Sequence, residues 1–207
     1  MLKVILASKS PRRAHLLKQI GLNFEIDPSS FDEKSIRIND PASLTKMVSE
    51  KKCKDVVPRH PDSLIIAADT VVFLNNKIMG KPANQDEARA MLSELSDNTH
   101  FVYSGIFVAR TNHSADIKAS FSLTERTKVT FSPLTNREIE HYIAGGSPFD
   151  KAGGYGIQDD TGSIFVNKVD GDYYNVVGFP LNAFYQKLKL EMPAIHSYLF
   201  LNYKDDL

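Results

Sequence analysis

Apolar and polar positions alternate along this chain in two distinct periods. Leu2–Ala7 is a short apolar run that predicts a buried strand. Ser10-Pro11 then opens a helix, with Ser as cap and Pro in the first turn. Leu16, Leu17 and Ile20 form its apolar stripe, and Gly21 stops it. Phe24–Ile26 predicts a second strand and the polar stretch Ser29–Asn39 a loop. From Pro41 to Val57 the spacing is helical, with Leu44, Met47 and Val48 on one face, until Pro58 and Pro61 end it.

Leu64–Leu74 is rich in Ile and Val and turns back through Asn75-Asn76 into Lys77–Met79, a hairpin signal. Asn84–Leu95 repeats apolar residues at helical spacing. Phe101–Arg110 and Ser120–Phe131 predict two long strands, and Thr135–Ala144 a helix ended by Gly145-Gly146. Gly145–Gly162 is glycine-rich and predicts a functional or flexible loop. Ile164–Val169 and Tyr173–Val177 are expected to pair as strands across Asp170–Asp172, before a last helix over Pro180–Leu190. The expected architecture is α/β with a mixed sheet, a single domain over 1–190, and a tail over 191–207 with no assigned state.

Composition narrows the function. Of 207 residues, 42% are hydrophobic and 24% charged, which suits a packed core under a solvated surface. Lys+Arg and Asp+Glu both number 25, whereas a protein held to nucleic acid by its phosphates is expected to be more basic. The single cysteine, Cys53, excludes an internal disulfide and a multi-cysteine metal site. The six histidines have no HxxxH or HExxH spacing, and no serine lies in a GxSxG elbow. With no signal-peptide h-region at the start and no run of 18 apolar residues, a cytoplasmic protein is expected. The charge is nevertheless uneven: residues 1–60 hold 12 Lys/Arg against 7 Asp/Glu, including the adjacent Arg12 and Arg13.

Four segments carry candidate chemistry. Ser8-Lys9-Ser10-Pro11-Arg12-Arg13 joins a strand to a helix. Free backbone N–H groups at the helix start, the Ser8 and Ser10 hydroxyls and two guanidinium forks suit a polyphosphate. It is not a Walker A loop, and the plainer alternative is a capped helix with solvated arginines. Asp69 interrupts the apolar strand Ile65-Ile66-Ala67-Ala68 and costs desolvation energy unless paired, bonded or metal-bound. Such an acid serves as general base, as metal ligand or as the partner of a structural base. Glu33 in its polar loop could complete an oxygen-rich Mg²⁺ site with Asp69. In Asp150–Gln158 the glycines permit close backbone approach to a ligand, and the Gln158 amide offers both a donor and an acceptor to a base edge.

In chain order, LASKSPRRAHL (6–16), FDEK (31–34), EKK (50–52), AADTVV (67–72), GKP (80–82), DKAGGYGIQ (150–158) and NVVGFPL (175–181) together resemble the Maf family of nucleoside triphosphate pyrophosphatases. The resemblance implies an ITPase-like fold: an elongated mixed sheet flanked by helices, with two lobes around a central cleft. It implies hydrolysis of a nucleoside triphosphate to the monophosphate and pyrophosphate with Mg²⁺ or another divalent cation such as Mn²⁺, a role in clearing non-standard nucleotides, and a homodimer. Carried over by motif, the base falls on Asp69, and the acidic metal positions on Glu33 and Asp69. Substrate specificity falls on Arg12, Thr70 and Gln158, and phosphate binding on Ser8, Arg13, Lys51 and Lys81. Asp69-Thr70 and Tyr155-Gly156-Ile157-Gln158 look like the branch that takes dTTP and UTP; the 7-methyl-GTP branch typically carries Asp-Gln at the first pair. The rival expectation is a non-enzymatic module that binds nucleic acid or a cell-division protein through Ser-Pro-Arg-Arg.

Overall fold

The computed structural model describes residues 2–201 except 160. Its centre is one seven-stranded mixed sheet in the order β2-β1-β3-β5-β6-β7, with β4 hairpinned onto β3. Strand β1 (Lys3–Leu6) runs parallel to β2 (Glu25–Ile26) and to β3 (Ser63–Leu74). From β3 onward the ladder is antiparallel, through β4 (Lys77–Met79), β5 (Thr99–Thr111), β6 (Ile117–Phe131) and β7 (Val166–Asp170). The hairpin after β3 turns on Asn75 and Asn76, both at positive φ, the conformation that a two-residue turn of this kind requires.

Strands β3, β5 and β6 are long enough to serve two cores. In the first lobe Leu64, Ile66, Ala68, Ile106 and Val108 pack under α1 (Pro11–Gln19) and α6 (Leu181–Glu191). In the second, Val72, Leu74, Val102, Val129 and Phe131 pack under α3 (Gln85–Leu95) and α4 (Asn136–Ala144). The opposite face of the first lobe is covered by α2 (Pro41–Val56), whose Cys53 and Val56 meet Ile65, Ala67 and Phe107. The middle of β3 is therefore buried on both faces and reads as a continuous apolar run.

Side-chain caps explain where the helices start. Ser10, Asp40, Asn84 and Thr135 each accept a hydrogen bond from a backbone N–H of the first turn, and Thr135 forms a full capping box with Glu138.

Three expectations change. Tyr173–Val177 is a short helix, α5, because Asp172 caps it by accepting from the N–H groups of Tyr174 and Asn175; β7 pairs with β6 instead. The buried face of α2 is Thr45, Val48, Ser49, Lys52, Cys53 and Val56, while Met47 lies outside. The tail begins with α7 (Pro193–Phe200), packed on α6 through Tyr185, His196 and Phe200; residues 202–207 lie outside the described residues. Among the described residues no helix is long and apolar enough to cross a membrane.

Helix α2 crosses the sheet at Gly105, the direct ladder partner of Asp69. A Cβ at Gly105 would stand 2.4 Å from the backbone carbonyl carbon and oxygen of Thr45. Backbone atoms cannot yield as a side chain can, so Gly105→Ala must lift α2 off the sheet. The expected cost is about 2 kcal/mol or more, measurable by urea denaturation.

Buried His100 gives stability a pH dependence. Its Nε2 lies 2.8 Å from the Tyr155 hydroxyl, its Nδ1 has no hydrogen-bond partner among the described residues, and Phe131 packs against the ring. Burial pushes its pKa down from 6.5 to about 4. Below pH 6.5 the unfolded chain takes up a proton that the folded chain refuses. Stability should therefore fall as pH drops from about 6.5 to about 4, by on the order of 3 kcal/mol in all. Denaturation curves at pH 7 and pH 4.5 should differ less for His100→Gln than for the parent.

Candidate active site

The two lobes leave a cleft of about 730 Å³ between them, within the range of small-molecule sites. Its floor is the middle of β3, and its walls are the turn into α1, the 28–36 loop, α2, the Gly80-Lys81 turn and the 150–158 loop. Of the residues singled out above, Ser8, Arg12, Arg13, Glu33, Asp69, Thr70, Lys81 and Gln158 all line it. Lys51 does not: it is exposed on the outer face of α2, and Lys52 lines the cleft in its place. One residue on a helix is a rotation of about 100°, and the buried stripe Thr45–Ser49–Cys53 carries Lys52 inward.

Successive residues of β3 point to opposite faces, so Asp69 and Thr70 meet different partners. Asp69 is only 7% exposed. Its Oδ1 accepts a hydrogen bond of 2.8 Å from Lys52 Nζ, and the same ammonium lies 2.8 Å from Glu33 Oε1. Two carboxylates thus converge on one cationic point. Burial pushes the Glu33 carboxyl up, but Lys52 outweighs it, with Lys81 and Arg13 adding to the pull, and the group is held below the usual range. On the other face, Thr70 Oγ1 accepts from Arg13 Nη2 at 3.1 Å and lies 2.8 Å from Ser104 Oγ.

The turn into α1 is organised by its hydroxyls. Ser8 Oγ accepts from the backbone N–H of Ser10 at 3.2 Å and from Arg13 Nη1 at 3.3 Å. Arg13 Nε donates to the Gly178 carbonyl at 3.0 Å. Among the described residues Arg13 therefore bonds only neutral acceptors; burial lowers its pKa, against the opposing pull of Asp69 and Glu33. Its charge stays available to an anion. Arg12 is arranged differently. Its Nη1 donates to Asp150 Oδ2 at 2.5 Å and its Nη2 to the Asp150 carbonyl at 2.9 Å, across the cleft. The two adjacent arginines thus have separate electrostatic roles.

The sequence offers Lys51 and Lys52 side by side, and the motif match selects Lys51 where the structure turns Lys52 inward; sequence reasoning missed Ser104 and the pairing of Asp150. Helical phase could have found Lys52; nothing local marks Ser104 or Asp150, whose partners stand 34 and 138 residues away. Cys53 is fully buried and burial raises its thiol pKa to about 12, the opposite of an activated nucleophile.

The donors suit a hard divalent cation. Glu33 and Asp69 offer oxygen only, and they already converge on a single positive centre. Among the described residues no group of three or more His, Cys, Asp or Glu side chains could hold a metal ion. A bound cation would therefore take much of its shell from water and phosphate oxygens, as Mg²⁺ commonly does.

Known proteins share this arrangement of sequence. The family model described as "Maf-like protein" matches residues 3–191. A dTTP/UTP pyrophosphatase of Halalkalibacterium halodurans is 44% identical over 190 residues, spanning 92% of this chain and 96% of that protein. One from Clostridium perfringens strain SM101 is 46% identical over 91% of this chain and 96% of its own length, and one from Salinibacter ruber is 42% identical over 90% and 89%. Among solved structures, a HAM1 protein from Coxiella burnetii aligns with 63% of this chain and 73% of its own, at 15% identity and a TM-score of 0.43. With a family model spanning nearly the whole chain and relatives above 40% identity at full length, this protein belongs to the Maf family.

Proposed function

We propose that the protein hydrolyses dTTP and UTP to the nucleoside monophosphate and pyrophosphate, and that it works in the cytoplasm. The carrying observation is the Lys52-bridged pair Asp69 and Glu33 beside the hydroxyl- and arginine-lined turn into α1. The names borne by the relatives point to the same substrates.

The triphosphate lies along that turn, its anionic oxygens facing the first N–H groups of α1, the Ser8 hydroxyl, Arg13 and Lys81. Glu33 and Asp69 would hold Mg²⁺, which when bound neutralises phosphate charge and orders the triphosphate. Asp69 orients a water toward the α-phosphorus. Lys52 takes one Asp69 oxygen, and the other accepts no hydrogen bond from the described residues, so it is open to that water. The water oxygen bonds to the α-phosphorus as the bond from that phosphorus to the bridging α–β oxygen breaks. The water proton passes to Asp69, and pyrophosphate leaves against Arg13 and Lys81. Base selection falls to Arg12, Thr70 and Gln158.

Turnover of UTP should yield UMP and pyrophosphate by ion-exchange chromatography, with activity lost on chelation and restored by Mg²⁺. UDP and orthophosphate as products would overturn the assignment. Asp69→Asn should fold and lose roughly 10²-fold or more in kcat, the scale of a missing general base.

The adjacent lysines give a sharper contrast. Lys52→Met leaves Asp69 buried without its counter-charge and should cut kcat/KM by at least about 10²-fold. Lys51→Met, on the outer face, should stay within about twofold of the parent. Steady-state kinetics on both variants decides which lysine serves the site.

A further inference from the structure

Arg12 stands in the cleft beside a free-charged arginine, yet its own charge is already matched. The Asp150 carboxylate is held on both oxygens: Oδ2 by Arg12 and Oδ1 by Lys151 Nζ at 2.7 Å. Lys151 in turn lies 3.0 Å from Asp159 Oδ2, which also accepts from the Tyr142 hydroxyl. Lys151 is buried, so Asp150 is fixed to the second lobe before it reaches across to the first. The Asp150 carbonyl accepts a second hydrogen bond from the same guanidinium. Two contacts on one planar group set its orientation as well as its place.

Two consequences follow from the charges. An arginine paired to a carboxylate adds little net attraction for a triphosphate, in contrast to Arg13. A guanidinium has five N–H donors; Asp150 takes two, so others remain to face the cleft. Those are donors only, fixed in direction, on a cation whose charge the Asp150 carboxylate offsets. They fit carbonyl oxygens. Uracil and thymine present carbonyl oxygens at positions 2 and 4, whereas cytosine presents an amino donor at position 4. Gln158 lies on the same loop as Asp150, lines the cleft and has no hydrogen-bond partner among the described residues.

We propose that Asp150 is a specificity-determining residue: by holding the Arg12 guanidinium across the cleft, it commits that arginine to the carbonyl edge of a uracil or thymine base and withholds it from the phosphates. This rests on the triphosphate-pyrophosphatase reading of the cleft. Asp150 touches no reacting atom and acts through Arg12, so it is a positioning residue.

The test reads base selection apart from turnover. Calorimetry with the non-hydrolysable α,β-imido analogues of UTP and CTP gives an affinity ratio for the parent, Asp150→Asn, Arg12→Ala and the double variant. Because the Asp150 side chain is 55% exposed, Asp150→Asn should fold, and its melting curve checks this. The parent should prefer the UTP analogue, and Asp150→Asn should lower that ratio about tenfold, the scale of one lost hydrogen bond to a charged group. The double variant should show no smaller ratio than Arg12→Ala alone, since both act on one contact. In kinetics, Asp150→Asn should lose kcat/KM for UTP while gaining or holding it for CTP.

Equal loss of affinity for both analogues would overturn the proposal and make Asp150 a general support of the loop. So would a parent that binds both equally, or losses in the two single variants that simply add. A parent that selects the UTP analogue yet releases no pyrophosphate from UTP would instead sink the proposed reaction and leave the role of Asp150 standing.

Discussion

Asp69 must meet a cation. It occupies the middle of β3, a strand covered on both faces, where an unpaired carboxylate would carry a desolvation cost of several kcal/mol. The cation is Lys52, and much of the cleft can be derived from that pairing. For its ammonium to reach the strand, α2 must lie flat on the sheet, and it can do so only because Gly105, beside Asp69, has no side chain. With Lys52 in place, the same ammonium draws Glu33 in from the 28–36 loop. That loop is pinned from behind, where Asp55 near the end of α2 accepts hydrogen bonds from Ser29 and from the N–H of Ser30. One buried charge thus sets the placement of a helix, a loop and the second carboxylate.

Most of the fold was legible because most elements carry their own punctuation. The caps at Ser10, Asp40, Asn84 and Thr135 and the Asn75-Asn76 turn fix boundaries through local hydrogen bonds, and each is visible in three or four residues. The errors arose where tertiary contacts outweighed pattern. Tyr173–Val177 has the β-branched and aromatic look of a strand, but Asp172 satisfies its first N–H groups as a helix cap would. The inner face of α2 contains Thr45, Ser49 and Lys52, so hydropathy found Val48 on that face but added Met47, which lies outside it. Thr45 and Ser49 are tolerated there because each hydroxyl donates to a carbonyl of its own helix.

The site was legible as a list and not as a circuit. Family motifs named residues that do line one cleft, with Lys51 displaced by its neighbour. What motifs could not supply is the pairing: which arginine faces a carboxylate and which faces only neutral acceptors among the described residues. Arg12 and Arg13 are adjacent, identical in chemistry and opposite in pairing, because Arg12 faces a carboxylate and Arg13 a carbonyl and two hydroxyls. That difference lies entirely in contacts from distant parts of the chain.

The strands that pass from one core into the other have a mechanical meaning. A cleft between domains joined by a linker can open and shut like a jaw. Here β3, β5 and β6 run beneath both walls as continuous, laddered beams, so moving one wall against the other would have to bend or twist the sheet itself. The sheet thus serves as a gauge for the width of the opening, and a nucleotide is measured against it. Adjusting what passes that gauge falls to the side chains and turns mounted on its rim, which can change while the beams stay as they are.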